Sequence, residues 1–341
     1  MKQEQVLLAH GDGGQLTHQL VQELFLRYFN FPALQALTDA ALLPPPAGRL
    51  AVTTDSFVVQ PLFFPGGDIG TLAVAGTVND LAVSGAKPMY LTAGFILEEG
   101  LLLVDLERVV ASMAETARDA GVAIVAGDTK VVERGRGDGL YINTAGIGVV
   151  LPDLDGEGAS LDGSRIGEGD AVLISGTLGD HGLTIMAQRA GIAFDTPVQS
   201  DCAPLSSLIA ALQENCLGQV KWMRDPTRGG VATTLKEIAE VTAKDIVIDE
   251  QALPVRDAVA DGAAILGLDP LYLANEGKVL VIVAPEARDA ALAALQAHPL
   301  GREAACIGHV SGGSGQVYLK TPLGGHRILN RLMGESLPRI C

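Results

Sequence analysis

No apolar run in this chain goes far before a glycine interrupts it, and that pattern limits what the chain can become more than any other. Glycine supplies 41 of 341 residues, well above the usual share of about 7%. The glycines follow no fixed period, which excludes a collagen-like helix. They sit at the ends of short apolar stretches, where the turns and ligand loops of an α/β protein belong. The same interruptions leave no stretch of ~18 apolar residues, so no membrane span is expected. With 48% apolar and 19% charged residues, the chain can build one or two cores of roughly 100–200 residues each and is not disordered in composition.

Charge narrows the partners. Lys and Arg number 24 against 40 Asp and Glu, a formal net charge of −16. A nucleic-acid binder needs a basic face, and no such cluster exists, so no nucleic acid is expected. A polyanionic ligand has to be held through Mg²⁺, local Lys or Arg, or backbone N–H groups. The apolar run at 6–9 is too short for a signal peptide. Cys202, Cys216, Cys306 and Cys341 lack metal-type spacing and are too few for a disulfide scaffold. The default is a reduced, cytoplasmic chain.

Periodicity predicts strands at 50–59, 122–126 and 140–150, and helices at 72–85 and 106–120, with Asp105 as N-cap of the second helix. Residues 151–165 are rich in Gly, Asp and Ser and read as a linker. Strands at 171–175, 279–283, 304–310 and 317–320 then alternate with helices near 182–190, 205–212, 231–241 and 286–296. The expected organisation is an N-terminal domain over 1–150, a second α+β domain over 151–330, and a mobile tail over 331–341 containing Gly334, Ser336 and Pro338.

Several short segments carry groups suited to chemistry. Gly11-Asp12-Gly13-Gly14 precedes an amphipathic segment at 16–29; a glycine turn feeding a helix can cradle phosphate or be an ordinary turn. Asp55 lies inside an apolar strand and has to be paired, exposed or metal-bound. Asp80, beside Asn79, shares a helix row with Ala73, Gly76, Thr77 and Ser84, small residues that admit a ligand or simply a close-packed backbone. Gly127-Asp128-Thr129-Lys130 follows a buried strand, where α/β folds often bind ligands; an acid for Mg²⁺ and a cation for phosphate stand together there, as they also can in a surface turn. Arg224-Asp225-Pro226-Thr227-Arg228-Gly229-Gly230 opens a helix and suits an anion. Glu276 in Asn275-Glu276-Gly277-Lys278 offers an acid or base. Asp55, Asp80 and Asp128 are expected to lie together as the metal and nucleotide site, with Asp39 and Asp225 as further candidates.

As a set, these segments resemble the PurM-like family of ATP-binding proteins that includes aminoimidazole ribonucleotide synthetase, selenophosphate synthetase and the HypE hydrogenase maturation proteins. The similarity to the HypE branch spans nearly the whole chain. It adds Thr53-Thr54-Asp55-Ser56-Phe57, Pro65-Gly66-Gly67-Asp68, Gly76-Thr77-Val78-Asn79-Asp80, Gly176-Thr177-Leu178-Gly179-Asp180-His181-Gly182 and the ending Pro338-Arg339-Ile340-Cys341. Asp12 departs from the family, which usually has Ser there. The resemblance implies a two-domain fold whose N-terminal mixed or antiparallel sheets pair in a homodimer. It implies ATP and Mg²⁺ bound by Gly11, Gly13, Gly14, Asp55, Asn79, Asp80, Asp128, Thr129, Asp225 and Arg228, with Lys130 stabilising charge and Glu276 as base. It implies a carbamoyl group placed on Cys341 by the carbamoyltransferase HypF, its ATP-dependent dehydration to a thiocyanate, and delivery of cyanide to iron on a HypC–HypD complex. The alternatives are another ATP-dependent synthetase acting on a small amide or acid, and a carrier whose tail only docks partners.

Overall fold

The computed structural model describes residues 4–154, 160–192, 198–332 and 339–341. In chain order its first half comprises α1 (Gln15–Leu20), β1 (Leu50–Phe57), α2 (Ile69–Val83), β2 (Ala86–Glu98), α3 (Leu103–Asp119), β3 (Ala123–Val132) and β4 (Leu140–Val150). The strands form one mixed sheet ordered β1-β4-β2-β3, in which only β2 and β3 run parallel.

Helix α2 is the centre of this half. Its N-cap, Asp68, accepts hydrogen bonds from the N–H groups of Gly70 and Thr71 at 2.8 and 3.0 Å, which satisfies two donors the helix cannot use itself. All of α2 except Thr71 and Asp80 is buried, as an apolar-all-round helix requires. Its glycines serve close packing: a Cβ at Gly70 would stand 2.4 Å from the Val109 carbonyl oxygen of α3, and one at Gly76 would stand 3.0 Å from the Phe57 ring of β1. Ala73, Gly76 and Thr77 are therefore spent on packing, and Asp80 and Ser84 of that row are left facing a cleft.

The second half comprises β5 (Ala171–Ile174), α4 (Asp180–Ala190), α5 (Ser206–Asn215), β6 (Val220–Arg224), α6 (Gly230–Thr242), β7 (Asp245–Asp249), α7 (Asp257–Leu266), β8 (Leu280–Val283), α8 (Arg288–Ala297), β9 (Ala305–Ser311), β10 (Val317–Lys320) and β11 (His326–Leu329). They form a seven-stranded sheet ordered β11-β10-β7-β9-β5-β8-β6, antiparallel except at β10–β7. Strands β5 and β8 are buried at every position. Ile185, Ala274 and Ile340 join the first half's core, around Phe57, Leu72 and Val109, so the halves share apolar packing.

Some elements differ from expectation. Strand β2 was not expected, because Pro88 and Gly94 interrupt its apolar pattern; Pro88 sits at a shift in register with β4, where a strand tolerates proline. Strand β3 runs on to Val132, so Asp128 and Lys130 lie within it and not beyond its end. Asp105 stands in the first turn of α3, whose N-cap is Leu102. Of the expected linker, 155–159 lies outside the described residues, and Leu154 is packed against Gly85. Of the expected mobile tail, 333–338, with Gly334, Ser336 and Pro338, lies outside the described residues. Arg339–Cys341 is docked, with Ile340 3% exposed.

Candidate active site

The cleft between the two sheets gathers acidic groups from four separate segments. Thr53 on β1 donates a hydrogen bond to Asp80 Oδ2 on α2 at 2.8 Å. Asp55, two residues along β1, lies on the same face and approaches Gly76. Across the cleft stand Asp225 and Arg228, in the loop that joins β6 to α6. Glu276 comes from the segment leading into β8. A cavity of about 490 Å³ opens beside Thr53, Asp80, Arg224 and Asp225, with Leu81 and Trp222 on its apolar wall.

These carboxyls act on one another. Burial raises the pKa of Asp80, and the charge of Asp55 adds to it against the Thr53 hydrogen bond and the two arginines. Asp225 is pushed up to about 7, first by burial and then by Asp80 and Asp55. Burial holds Glu276 well above the carboxylate range, helped by Asp225, Asp201 and Asp55 and opposed by Arg228. One oxygen of Glu276, Oε1, has no hydrogen-bond partner. Cys341 lies beside Glu276, and burial, with the charges of Glu276 and Asp55, keeps it a neutral thiol.

The backbone of Glu276 is fixed from three sides. Asn79 Nδ2 donates to the carbonyl oxygens of Ala203 and Glu276 at 3.1 and 3.3 Å, and its Oδ1 accepts from Leu205 N at 2.7 Å. Both Nδ2 hydrogens are engaged within the protein, so Asn79 holds the Glu276 backbone in place, and only Oδ1 keeps a lone pair for a further partner. Asp201 accepts the N–H groups of Glu276 and Gly277 and the Lys278 ammonium, all within 3.3 Å. Asn275 ties this segment to Pro226 and Gly179. Asp201 was missed from the sequence; the signal was Lys278, since a buried ammonium requires a carboxylate nearby.

The remaining expected residues gather elsewhere in the chain. Asp55 pairs with Thr144, Thr144 with Ala93, and Ala93 with Gly127, straight across the sheet. Asp128 is one residue past that row, so it lies on the opposite face, at the opposite edge strand. The expectation that Asp128 joins Asp55 and Asp80 within one chain is therefore corrected. Lys130 bonds both oxygens of Asp128 at 2.7 Å in an exposed pair. Asp39, Asp128 and Thr129 line a separate cavity of about 260 Å³, so Asp39 also stands apart from the cleft. Gly11 packs against Val131 of β3, Gly13 takes a left-handed φ of +81°, and Gly14 caps α1. Asp12 accepts the Gly14 N–H at 2.7 Å, which gives it a turn-forming role. One group of candidates thus lines the cleft, and another lies along the β3 edge.

The Asp225 environment makes a stability prediction. Its folded-state pKa of about 7 exceeds the ordinary 3.8, so the folded form holds a proton the unfolded chain releases above pH ~4. Stability is lost as pH rises from about 4 to about 7 and the loss is complete beyond. Asp225→Asn removes this penalty. In EDTA, denaturant unfolding should show the variant up to about 4 kcal/mol more stable than the parent at pH 8 and equal to it near pH 4. An equal difference at both pH values would count against the assignment.

Comparison with known proteins agrees with this architecture. The family described as AIR synthase related protein, N-terminal domain, matches residues 37–150, and its C-terminal domain matches 167–320. The carbamoyl dehydratase HypE of Rhizobium leguminosarum bv. viciae is 51% identical over 335 residues, 98% of this chain and 94% of that protein. A crystal structure of hydrogenase maturation protein HypE in complex with ATP superposes with a TM-score of 0.93 at 53% identity, covering 98% of this chain and 99% of that one. A HypE–HypF complex matches with a TM-score of 0.79 at 49% identity, over 92% and 99% of the two chains. At this identity and coverage, the chain belongs to the HypE carbamoyl dehydratase family of AIR synthase related proteins.

Proposed function

We propose that this protein uses ATP to dehydrate a carbamoyl group on the Cys341 thiol to a thiocyanate, which supplies a cyanide ligand of iron during nickel–iron hydrogenase maturation. The observation that carries the reading is the Cys341 thiol placed beside Glu276 in a carboxylate-lined cleft, where one Glu276 oxygen has no hydrogen-bond partner. HypF loads the carbamoyl group, in keeping with the HypE–HypF complex, and a HypC–HypD iron scaffold receives the cyanide. The carbamoyl oxygen attacks the γ-phosphorus and ADP leaves. The C–O bond then breaks to release phosphate while the nitrogen loses its protons and becomes the nitrile. Glu276 Oε1 accepts one of those protons, and the departing phosphate carries away the other. Its raised pKa makes it a stronger base once ionised, and Arg228 favours the ionised form.

Asp55, Asp80 and Asp225 fit a hard cation, because each raises the proton affinity of a neighbour. Among the described residues no three such side chains form a closed metal cage. Mg²⁺ keeps waters and takes phosphate oxygens, so it would be held between these aspartates and the nucleotide. When bound, it supplies neutralisation of the triphosphate charge. The test of the reaction is the mass of the peptide bearing Cys341: carbamoylation adds the carbamoyl mass, and ATP then removes one water. Retention of the full carbamoyl mass after ATP would refute the dehydration.

The β3 group reaches a site through a second copy. The sheet face away from α2 exposes Val52 at 70% and Ile96 at 43%, and β1 and β3 are its open edges. Pairing two sheets about a twofold axis covers that face, removes both edges and sets the β3 edge of one copy beside the β1 edge of the other. Gly11, Gly13, Gly14, Asp128, Thr129 and Lys130 then complete the partner's cleft. Equal mixing of Lys130→Ala and Cys341→Ala proteins, each inactive alone, should restore roughly a quarter of the parent activity, since half the dimers are hybrids and each has one intact site. No recovery after verified exchange would place Lys130 and Cys341 in the same chain's site.

A further inference from the structure

The Arg339–Cys341 segment lies along residues 58–60 like an added strand. Val58 N–H donates to the Cys341 oxygen at 3.2 Å, and Gln60 N–H donates to the Arg339 oxygen at 3.3 Å. Arg189 donates through Nε to the Gln60 oxygen at 2.5 Å and through its guanidinium to the Arg339 oxygen. Arg339 itself takes a left-handed φ of +54°, a backbone that residues with side chains rarely adopt, and pairs with Asp138 at 2.8 Å. This turn sends Ile340 into the core and Cys341 to Glu276. The docked pose thus sets one strained residue against backbone hydrogen bonds, an ion pair and the burial of Ile340.

One of those contacts comes from the interior. His181, at the start of α4, is fully buried with the edge of Phe64 packed on it, ring centroids 5.5 Å apart. Its Nε2 lies 2.7 Å from the Ile340 carbonyl oxygen, which can only accept, so Nε2 carries the proton. Its Nδ1 lies 2.8 Å from Ser200 Oγ and accepts from that hydroxyl, while the same Oγ accepts the Cys202 N–H at 3.1 Å. Every donor and acceptor in the chain Cys202–Ser200–His181–Ile340 is thereby matched, and a single tautomer is selected. Burial disfavours the imidazolium, so the ring stays neutral. Ser200 and Cys202 fix the other side of the ring, so its one remaining donor is aimed at the Ile340 carbonyl.

We propose that His181 is a positioning residue that latches the Ile340 carbonyl and so sets how often the Cys341 thiol occupies the cleft. It acts through the backbone next to the thiol and touches neither the thiol nor the carboxylates around it. The inference rests on Cys341 as the carrier for its consequence in the reaction, though the docking equilibrium itself can be read without that chemistry. The docked thiol is neutral and half-buried, so alkylation runs mainly through the undocked fraction. Dehydration needs the docked fraction. Labelling is read on the free thiol and dehydration on the carbamoylated one, and loss of the latch undocks both, so it speeds the first, slows the second and raises their quotient.

The experiment measures iodoacetamide labelling of Cys341 by peptide mass in the full-length protein, and single-turnover dehydration of the carbamoylated protein. His181→Phe keeps an aromatic ring and removes the donor. Its quotient should rise about tenfold, as for loss of a buried hydrogen bond, with Cys216 labelling unchanged. Ile340→Ala, which leaves the His181 surroundings intact, should raise it in the same direction. His181→Gln, whose amide can donate to the same carbonyl, should return most of the way to the parent value. An unchanged quotient in both His181→Phe and Ile340→Ala, or a rise matched by Cys216, would overturn the latch. Faster Cys341 labelling in a protein that never accepts a carbamoyl group would leave the latch standing and remove the carrier reading instead.

Discussion

A Cys341→Ala protein should bind ATP like the parent, accept no carbamoyl group and yield no thiocyanate. The groups proposed for the nucleotide and its cation, Asp55, Asp80, Asp225 and Arg228, come from β1, α2 and the loop before α6, and none depends on the Cys341 side chain for its place. No other thiol can substitute. Cys202 is held well above its ordinary pKa by burial and by Glu276 and Asp201. Cys216 is 3% exposed, and burial raises its pKa too. Cys306 is half-buried in β9 and turned to the Gly308 oxygen, outside the cleft. The thiolate is the nucleophile, and burial suppresses it at Cys202 and Cys216. Cys341 is suppressed as well while docked, but it ends a three-residue described segment, whereas Cys306 lies within β9, Cys216 caps α5 and Cys202 is held through its N–H by Ser200. Intact mass after incubation with the carbamoyltransferase reads the result directly. Carbamoyl mass on the Cys341→Ala protein would assign the carrier to another cysteine.

The candidate residues were legible in the sequence by type far better than by position. Asp55 and Asp80 were visible because a carboxylate in an apolar strand or helix has to be accounted for, and they do share a cleft. Asp128 was equally visible and belongs to the far edge of the sheet. The difference comes from β2, the strand between β4 and β3. Its Pro88 and Gly94 hid it from pattern reading, and without β2 nothing shows that Asp128 is three strands and one face removed from Asp55. Asn79 shows a second limit. An amide beside a catalytic carboxylate reads as a ligand, yet here it ties Ala203, Leu205 and Glu276 together through contacts more than a hundred residues away in the chain. His181 was passed over for the same reason, since its partners Ser200 and Ile340 are not its neighbours in sequence. Period and composition report which faces are buried, and long-range pairing decides which buried groups meet.

Glu276→Gln should retain ATP binding and carbamoyl acceptance at Cys341 while slowing dehydration by about 10²- to 10⁴-fold, the usual loss on removing a general base. The substitution keeps shape and leaves the supports intact, because Asn79 and Asp201 hold the Glu276 backbone and not its carboxyl group. It also removes an acid that burial and three neighbouring aspartates hold well above its ordinary range. Such an acid costs stability once pH exceeds its unfolded value, so the metal-free variant should be more stable than the parent at neutral pH and no more stable in acid. Fold damage therefore cannot explain a lost rate. The pH dependence separates a base from a mere hydrogen-bond partner of the thiol. In the parent, single-turnover thiocyanate formation should climb with pH as Glu276 ionises. A cation among the aspartates should move that limb to lower pH, because two of the groups opposing ionisation, Asp225 and Asp55, are then neutralised. The variant should lose the limb altogether, leaving a low rate set by water. If Glu276→Gln formed thiocyanate at the parent rate, or kept the same rise with pH, the proton would be leaving by another route and the partnerless Oε1 would have no part in the chemistry.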